Sequence, residues 1–445
     1  MYEQALLKNI GINNVNNLAT YRALGGYGAL SKALHELKPE ELIALVKESI
    51  LRGRGGAGFP TGLKWSFIPK DSLLPKFLCC NADESEPGTF KDRLLIEKDP
   101  HQLVEGIALA CYAIGASVAY IYIRAEYSYA TQILQQALIE CYEQGLLGKS
   151  ILGSDFKLEV FIHRGAGAYI CGEETALLES IEGFRGQPRL KPPFPAISGL
   201  YASPTVINNV ETLACIPHIV TNGAQWFKDI GSPKGPGPKL YCLSGRICHP
   251  GVYELPTGIS LRELVEQHGG GAPNGKKIKA VIPGGASAPM FPESALDIAM
   301  DFDELMAAGS MFGSAGVIVM DEDSCIVKVT TRMLTFFHHE SCGKCTPCRE
   351  GLGWVVKLLR RIEAGCGKPG DIEELERLAG GIFGNCFCPL GDGAIMALRG
   401  ALTHFRDEFT YHIDKGHCPF DKSALNKANT SVRLAAEKRY ASSHH

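Results

Sequence analysis

Unbroken apolar runs alternate with stretches whose apolar residues recur every three or four positions along the first half of this chain. Phe77–Cys80 and Val118-Ala-Tyr-Ile-Tyr-Ile123 are short, continuous and rich in β-branched or aromatic residues, which predicts buried strands. Helical periodicity fills the intervals and continues to about residue 230, so the pattern predicts an α/β layered domain. Residues 1–52 read as amphipathic helices; in Lys38-Pro-Glu-Glu-Leu-Ile-Ala-Leu-Val-Lys47, Pro39 and the glutamates suit a helix start. Gly231-Ser-Pro-Lys-Gly-Pro-Gly-Pro238 is a linker by composition. From Lys239 to Cys325 short strands alternate with turns around one helix at Leu261–Glu266, a small α+β module. From Lys328 onward long helical patterns return, broken at Cys342–Cys348 and Cys386–Cys388. That predicts a helical bundle with a metal group at one end. The divisions are therefore 1–52, 53–238, 239–327 and 328–445.

Composition narrows the class. The chain has 445 residues, 45% hydrophobic and 21% charged, with a net charge of −3. These values fit an ordinary multidomain globular protein and give no electrostatic footprint for nucleic acid or an anionic membrane. No apolar run approaches the roughly 20 residues needed to cross a bilayer. Met1-Tyr-Glu-Gln-Ala5 has neither a basic nor an apolar leader segment, so a cytoplasmic protein of a bacterium-like cell is expected. Ser442-Ser-His-His445 reads equally as a tag remnant or a native tail. Of sixteen cysteines, Cys111, Cys141, Cys171, Cys215, Cys242 and Cys325 stand singly in apolar segments. They read as small buried hydrophobes of a reducing compartment.

Cys342-Gly-Lys-Cys345-Thr-Pro-Cys348 departs from that scatter. Three thiols at a two-residue spacing can converge on one [4Fe–4S] cubane, which needs a fourth thiolate from elsewhere. Cys388, followed by Pro-Leu-Gly, is the best fourth thiol. Cys386 competes with it, and Cys366, between two glycines, is a third candidate. On an extended segment Cys386 and Cys388 would point to opposite sides, so one of them should ligate. Zinc is the rival metal, because His338 and His339 lie just upstream.

Four polar turns in the first domain suggest a nucleotide-type ligand. Gly53-Arg54-Gly55-Gly56-Ala57-Gly58-Phe59-Pro60-Thr61-Gly62 has five glycines in ten residues before Lys64. A backbone without Cβ atoms can approach a ligand and turn its N–H groups onto a phosphate, with Arg54 and Lys64 adding charge. Phe59, Trp65 and Phe67 beside it suit a stacked adenine or isoalloxazine. Asn81-Ala-Asp83-Glu84-Ser85-Glu86 follows a strand and could bond ribose or ribityl hydroxyls. Gly165–Thr175 leads into a helix start with Glu173 and Glu174. Lys191-Pro-Pro-Phe194 carries a cation and an aromatic ring, and Asn208-Asn209-Val-Glu211-Thr212 places amides before a helix.

In this order, Gly-Arg-Gly-Gly-Ala-Gly-Phe-Pro-Thr-Gly, Asn-Ala-Asp-Glu-Ser-Glu-Pro-Gly-Thr, Cys-Gly-Glu-Glu-Thr-Ala-Leu and Glu-Ser-Cys-Gly-Lys-Cys-Thr-Pro-Cys-Arg resemble the NADH-binding flavin subunit (51-kDa type) of respiratory complex I. Diaphorase subunits of NAD-reducing hydrogenases and formate dehydrogenases share these motifs. The resemblance runs from about residue 20 to 420. It implies a Rossmann-like FMN/NADH domain, a ubiquitin-like β-grasp module of the soluble-ligand-binding type, and a four-helix bundle holding one [4Fe–4S] cluster. It implies NADH dehydrogenase (quinone) activity of the translocase type, with hydride passing from NADH to FMN and electrons leaving singly through the cluster.

By the same resemblance Gly53, Arg54, Gly55, Gly56 and Lys64 match contacts to FMN and NADH, and Asn81, Asp83, Ser85, Gly172, Glu173, Asn208, Asn209 and Thr212 match flavin contacts. Phe59, Phe67 and Phe194 match rings that sandwich adenine; Glu86, Tyr169, Glu174 and Lys191 match residues around the dinucleotide. Cys342, Cys345, Cys348 and Cys388 match the cluster ligands, and Cys386 is an added thiol. The expected partners are a thioredoxin-like [2Fe–2S] (24-kDa type) subunit and a large iron–sulfur (75-kDa type) subunit, which would hold the chain at the inner face of a bacterial membrane. The chain shows no thioredoxin-like segment before residue 20 and no cysteine-rich ferredoxin segment after 420, which suggests a free-standing subunit.

Overall fold

The computed structural model describes residues 3–420. The terminal Ser442–His445 lies outside the described residues. The helices Leu18–Ala23 (α1), Gly28–Glu36 (α2) and Pro39–Glu48 (α3) precede the glycine-rich turn. Pro39 and the glutamates of the first turn start α3, and Glu41 reaches back to the Lys38 N–H at 2.7 Å. Thr61–Trp65 (α4) follows the turn.

The first sheet contains Phe77–Ala82 (β1), Val118–Ile123 (β2), Glu159–Arg164 (β3) and Thr205–Asn209 (β4), all parallel, in the order β3-β2-β1-β4. Between them run Lys91–Lys98 (α5), Pro100–Ile114 (α6), Ser128–Glu143 (α7) and Glu174–Ile181 (α8), followed by Val210–Asn222 (α9) and Ala224–Lys228 (α10). Almost every residue of α6 is buried, because it lies between the sheet and α9. Gly106 permits that packing: a Cβ there would sit 2.1 Å from the Leu213 carbonyl oxygen. The chain moves outward from β1 to β3 and then returns to β4 on the other side of β1. This reversal opens a crevice at the carboxyl ends of β1 and β4, where α/β sheets bind ligands. Asn81 and Asn209 pair across it.

The second sheet is mixed. Pro238–Gly245 (β5), Gly251–Pro256 (β6), Ile278–Ile282 (β7), Phe291–Pro292 (β8) and Gly316–Asp321 (β9) lie in the order β6-β5-β9-β7-β8, with β5 and β9 parallel at the centre. This is the β-grasp order. The helix expected at Leu261–Glu266 is present from Leu261 to His268, with π-type hydrogen bonding over Glu263–His268, and Phe302–Ala307 (α11) is a further short helix.

The bundle comprises Ile326–His339 (α12), Leu352–Glu363 (α13), Asp371–Ile382 (α14) and the long Pro389–Lys415 (α15). In α13, Leu352, Val355, Val356, Leu359 and Ile362 form one buried stripe at helical spacing. Their core is continuous with Cys79, Tyr122 and Leu177 of the first domain and Ile282 and Met290 of the second. The three units therefore meet around the crevice.

Candidate functional site

Two connected cavities occupy the junction. The inner one, about 400 Å3, reaches from the glycine turn to Ser287 and Cys388. The outer one, about 900 Å3, opens past Phe59, Phe67 and Phe194. They share Gly55, Gly56, Asn81, Gly172, Glu173 and Asn209. Every dinucleotide or flavin residue expected from the sequence lines one or both, except Arg54.

The turn's backbone, rather than its arginine, faces the cleft. Arg54 is fully buried and its Nη2 donates to the Pro236 carbonyl at 2.6 Å. The expectation that its charge reaches the ligand is therefore corrected: its side chain ties the turn to the linker. Its N–H donates to Thr212 Oγ1 at 2.8 Å, and the Gly53 N–H to the Phe59 carbonyl at 2.9 Å. At Gly55 a Cβ would approach Asn209 Cβ to 3.0 Å, and Gly56 has φ +140°. The glycines thus set both the conformation and the clearance of this wall.

Asn81 is the fifth residue of β1, not a residue beyond it. Its Nδ2 donates to the Gly172 carbonyl at 2.8 Å, bridging the acidic loop to the turn before α8. Asp83 accepts from Ser85 Oγ through Oδ1 at 3.1 Å, while its buried Oδ2 has no partner. Burial pushes its carboxyl up to about 7. An orphaned buried oxygen on a cavity wall fits a ligand hydroxyl or N–H. Glu84 instead serves the scaffold. Its carboxylate accepts the N–H groups of Lys91, Asp92 and Arg93 at 2.8–3.1 Å and so caps α5. Glu86 accepts from Tyr169 OH at 2.6 Å and from Ser287 N and Oγ, both at 2.7 Å. That clasp joins the first domain to the β-grasp unit.

Glu173 caps α8 through Thr175 N (2.8 Å) and Ala176 N (2.9 Å). Beside it, Glu174 is held by Lys64 at 3.0 Å and Lys191 at 2.8 Å, and Lys191 also reaches Glu173 at 3.0 Å. Burial raises the Glu174 carboxyl, but the two lysines outweigh it, and the net shift is downward. Phe59, Phe67 and Phe194 are 46%, 48% and 58% exposed, unusually high for phenylalanines, at the rim of the outer cavity. Such rings are placed to cover a planar aromatic ligand. Asn208 Oδ1 accepts from Trp65 Nε1 at 2.8 Å, which explains the burial of that tryptophan. Asn209 caps α9 and its Nδ2 donates to Asp92 at 2.6 Å.

Sequence reading missed two groups. Gly284, Ser287 and Ser314 of the β-grasp unit line the inner cavity; the Gly284-Gly285 pair after β7 was the available signal. Beneath the crevice, Lys91 bridges Asp92 (2.7 Å) and Glu211 (2.8 Å), and Lys239 also meets Glu211 at 2.6 Å, all fully or almost fully buried. Nothing in the local pattern marks those charges as buried.

The cysteine turn precedes α13. Cys348 Sγ and Ser341 Oγ are hydrogen-bonded at 3.2 Å, and the Phe387 N–H donates to Cys345 Sγ at 3.5 Å. Gln187 Nε2 donates to the Cys342 carbonyl at 3.0 Å, fastening the turn to the first domain. Cys388 is the N-cap of α15, faces Cys342 and Cys348, and lies on the inner cavity wall. Segment 386–388 is a bend, not the extended stretch expected. Cys386 consequently also turns inward, against Cys345. Burial pushes the Cys348 and Cys388 thiols up to about 11 and 12. Four thiols from two segments, with a backbone N–H donating to one sulfur and a serine hydroxyl beside another, are a donor set that fits an iron–sulfur cluster.

Comparison with known proteins agrees with this geometry. Residues 46–218 match the Nuo51 FMN-binding domain, 239–319 the SLBB domain, and 328–412 the NADH-ubiquinone oxidoreductase-F iron-sulfur binding region. The F 2 subunit of the NADH-quinone oxidoreductase of Rhizobium meliloti is 66% identical over 94% of this chain and 100% of that relative. The corresponding F subunit of Streptomyces coelicolor is 54% identical over 94% of this chain and 93% of its own length. A chain of an NAD+-reducing [NiFe]-hydrogenase in the air-oxidised state superposes with a TM-score of 0.79 at 35% identity, over 92% of this chain and 67% of that one. The chain therefore belongs to the family of NADH-quinone oxidoreductase F subunits, which bind FMN and a [4Fe–4S] cluster.

Proposed function

We infer that this chain oxidises NADH at the cleft and delivers electrons one at a time to partner subunits of an NADH-quinone oxidoreductase. The observation that carries the reading is one continuous cleft with an aromatic rim at one end and Cys388 in its wall at the other. FMN supplies the conversion of a two-electron hydride into single electrons when bound. The residues do the positioning. The Gly53–Gly56 backbone and Lys64 receive phosphate, Asn81, Asp83, Ser85, Gly172, Glu173, Asn208, Asn209 and Thr212 hold the flavin, and Phe59, Phe67 and Phe194 clamp adenine. Glu86 and Tyr169, bonded to each other, shape the dinucleotide subsite without moving a proton. Cys342, Cys345, Cys348 and Cys388 hold the cluster beside the inner cavity.

The partners on this reading are the thioredoxin-like [2Fe–2S] (24-kDa type) and large iron–sulfur (75-kDa type) subunits. Among the described residues no helix is long and apolar enough to cross a membrane, so partner subunits would hold the chain at the membrane's inner face, in a translocase-type complex. The hydrogenase likeness favours one alternative, a diaphorase subunit; co-purified partners distinguish the two. The direct test is anaerobic addition of NADH to the FMN-loaded chain. The flavin absorbance should bleach; flavin that binds and stays oxidised contradicts the reading.

Glu174 sets a second expected result. It occupies Lys64 and Lys191, which would otherwise attract the 2′-phosphate of NADPH. A unit-charge contact near a protein surface is worth up to about 4 kcal/mol, and screening at this half-open rim leaves about 1.4 kcal/mol, or roughly tenfold. Glu174→Ala should raise the NADPH:NADH ratio of kcat/KM by about that factor. An unchanged ratio removes Glu174 from coenzyme selection.

A further inference from the structure

We propose that Cys325, His412 and Cys418 form a second metal site, for zinc, at the end of the bundle remote from Cys388. Among the described residues, these are the three whose ligand atoms, Sγ, imidazole N and Sγ, lie mutually within 4.8 Å. Cys325 Sγ and His412 Nε2 are 3.5 Å apart. A tetrahedral zinc ion with Zn–S of about 2.3 Å and Zn–N of about 2.0–2.1 Å has an S···N edge of about 3.5 Å. The pair is thus already at coordination spacing.

The imidazole is arranged as a ligand. His412 Nδ1 bonds the Glu408 carbonyl oxygen at 2.7 Å, so Nδ1 carries the proton and Nε2 presents its lone pair to Cys325. A backbone carbonyl fixing the far nitrogen is the usual support of a metal-binding histidine. Cys325 is the N-cap of α12, and His412 lies in the last turn of α15, fully buried.

Cys418 is held in place from both sides. Gly416 ends α15 with φ +67°, turning the chain back, and packs so closely on Gly365 that a Cβ there would lie 2.0 Å from the Gly416 carbonyl oxygen. Beyond Cys418, the Phe420 ring lies 3.7 Å under Lys279 Nζ. Cys418 itself contacts Cys325 and is half-buried, so a fourth position can take water.

The charges balance. Two thiols lose one proton each on binding, and two thiolates, a neutral imidazole and Zn2+ sum to zero. The nearby Lys279 is paired with Glu408 at 2.9 Å. Thiolate and imidazole donors together suit zinc rather than a hard cation. His412 is 24 positions along α15 from Cys388, beyond the kink at Phe405. Such a site would clasp the ends of α12 and α15 rather than carry electrons.

The test uses the full chain with its iron–sulfur cluster intact, exposed to zinc sulfate, desalted over a weak chelator and analysed for zinc and iron. The expected content is about one zinc per chain in the wild type, falling by about tenfold or more in Cys325→Ser and Cys418→Ser, with iron unchanged. Zinc held by the terminal histidines is common to all three proteins and cancels. Iron content reports that the fold survives, and Cys418→Ser, just beyond α15, is the mild variant. In the wild type, zinc should also shield Cys418 from alkylation, read by mass spectrometry. Equal zinc in wild type and Cys418→Ser overturns the proposal, as does a Cys325–Cys418 disulfide in place of zinc.

Discussion

Cys388→Ala should abolish the electron paramagnetic resonance signal of the cluster and remove its iron, whereas Cys386→Ala should retain both. A [4Fe–4S] cubane needs four thiolates, and the 342–348 turn provides three. The bend at 386–388 brings both remaining thiols inward, so proximity alone does not choose between them. Position does. Cys386 lies against Cys345 and near Cys348, and Cys388 lies near Cys342 and Cys348, but Cys388 alone of the two borders the inner cavity. Cys386 packs back on the first turn of α15, where a Cβ at Gly391 would lie 2.3 Å from its sulfur, and contacts the Ile382 carbonyl at 3.4 Å. Iron analysis and spectra of the two variants decide the matter; loss of the signal in Cys386→Ala with retention in Cys388→Ala reverses the assignment.

Lys91→Met should destabilise the protein by about 3–5 kcal/mol, because it strands the buried Asp92 carboxylate and leaves Glu211 with one of its two ammonium partners. Burial opposes the Lys91 ammonium, but Asp92, Glu211 and Glu84 together raise its pKa. Without it, Asp92 keeps only Asn209 among its charged or amide partners in this network, and Glu211 keeps Lys239. Lys239→Met should cost less, since Lys91 still answers Glu211; burial already pushes the Lys239 ammonium down to about 8. Urea midpoints at neutral pH measure both. A Lys91→Met midpoint at or above that of Lys239→Met contradicts the ranking. Asn209 lines the cleft directly above this network, so FMN affinity should fall with stability in Lys91→Met.

Much of this was legible in residues 77–80 and 118–123, where unbroken apolar runs require burial on both faces. Strand order was not, because β4 returns beside β1 through contacts more than a hundred residues apart. The helix at Leu261 starts where expected but takes π-type hydrogen bonding over Glu263–His268 and runs two residues further, since a short amphipathic segment does not fix its own hydrogen-bond register. Arg54 misled for a related reason. A cation in a glycine turn suggests phosphate, but its direction depends on Pro236, which is 182 residues away. Cys325 read as a small apolar filler; it is buried, but only the fold brings His412 and Cys418 against it. The cleft lining was the most legible part, because glycines, amides and aromatic rings at successive turns have few other joint uses.

The central claim is that electrons enter as hydride at the glycine-lined cleft and leave through the cysteine cluster of the same chain. Anaerobic addition of limiting NADH to the chain carrying both groups, followed by freezing and electron paramagnetic resonance, tests it most directly. The account predicts that the cluster signal rises as the flavin band bleaches, and that Cys388→Ala bleaches without any such signal. A wild-type cluster that dithionite reduces but NADH leaves silent, despite a bleached flavin, would contradict it.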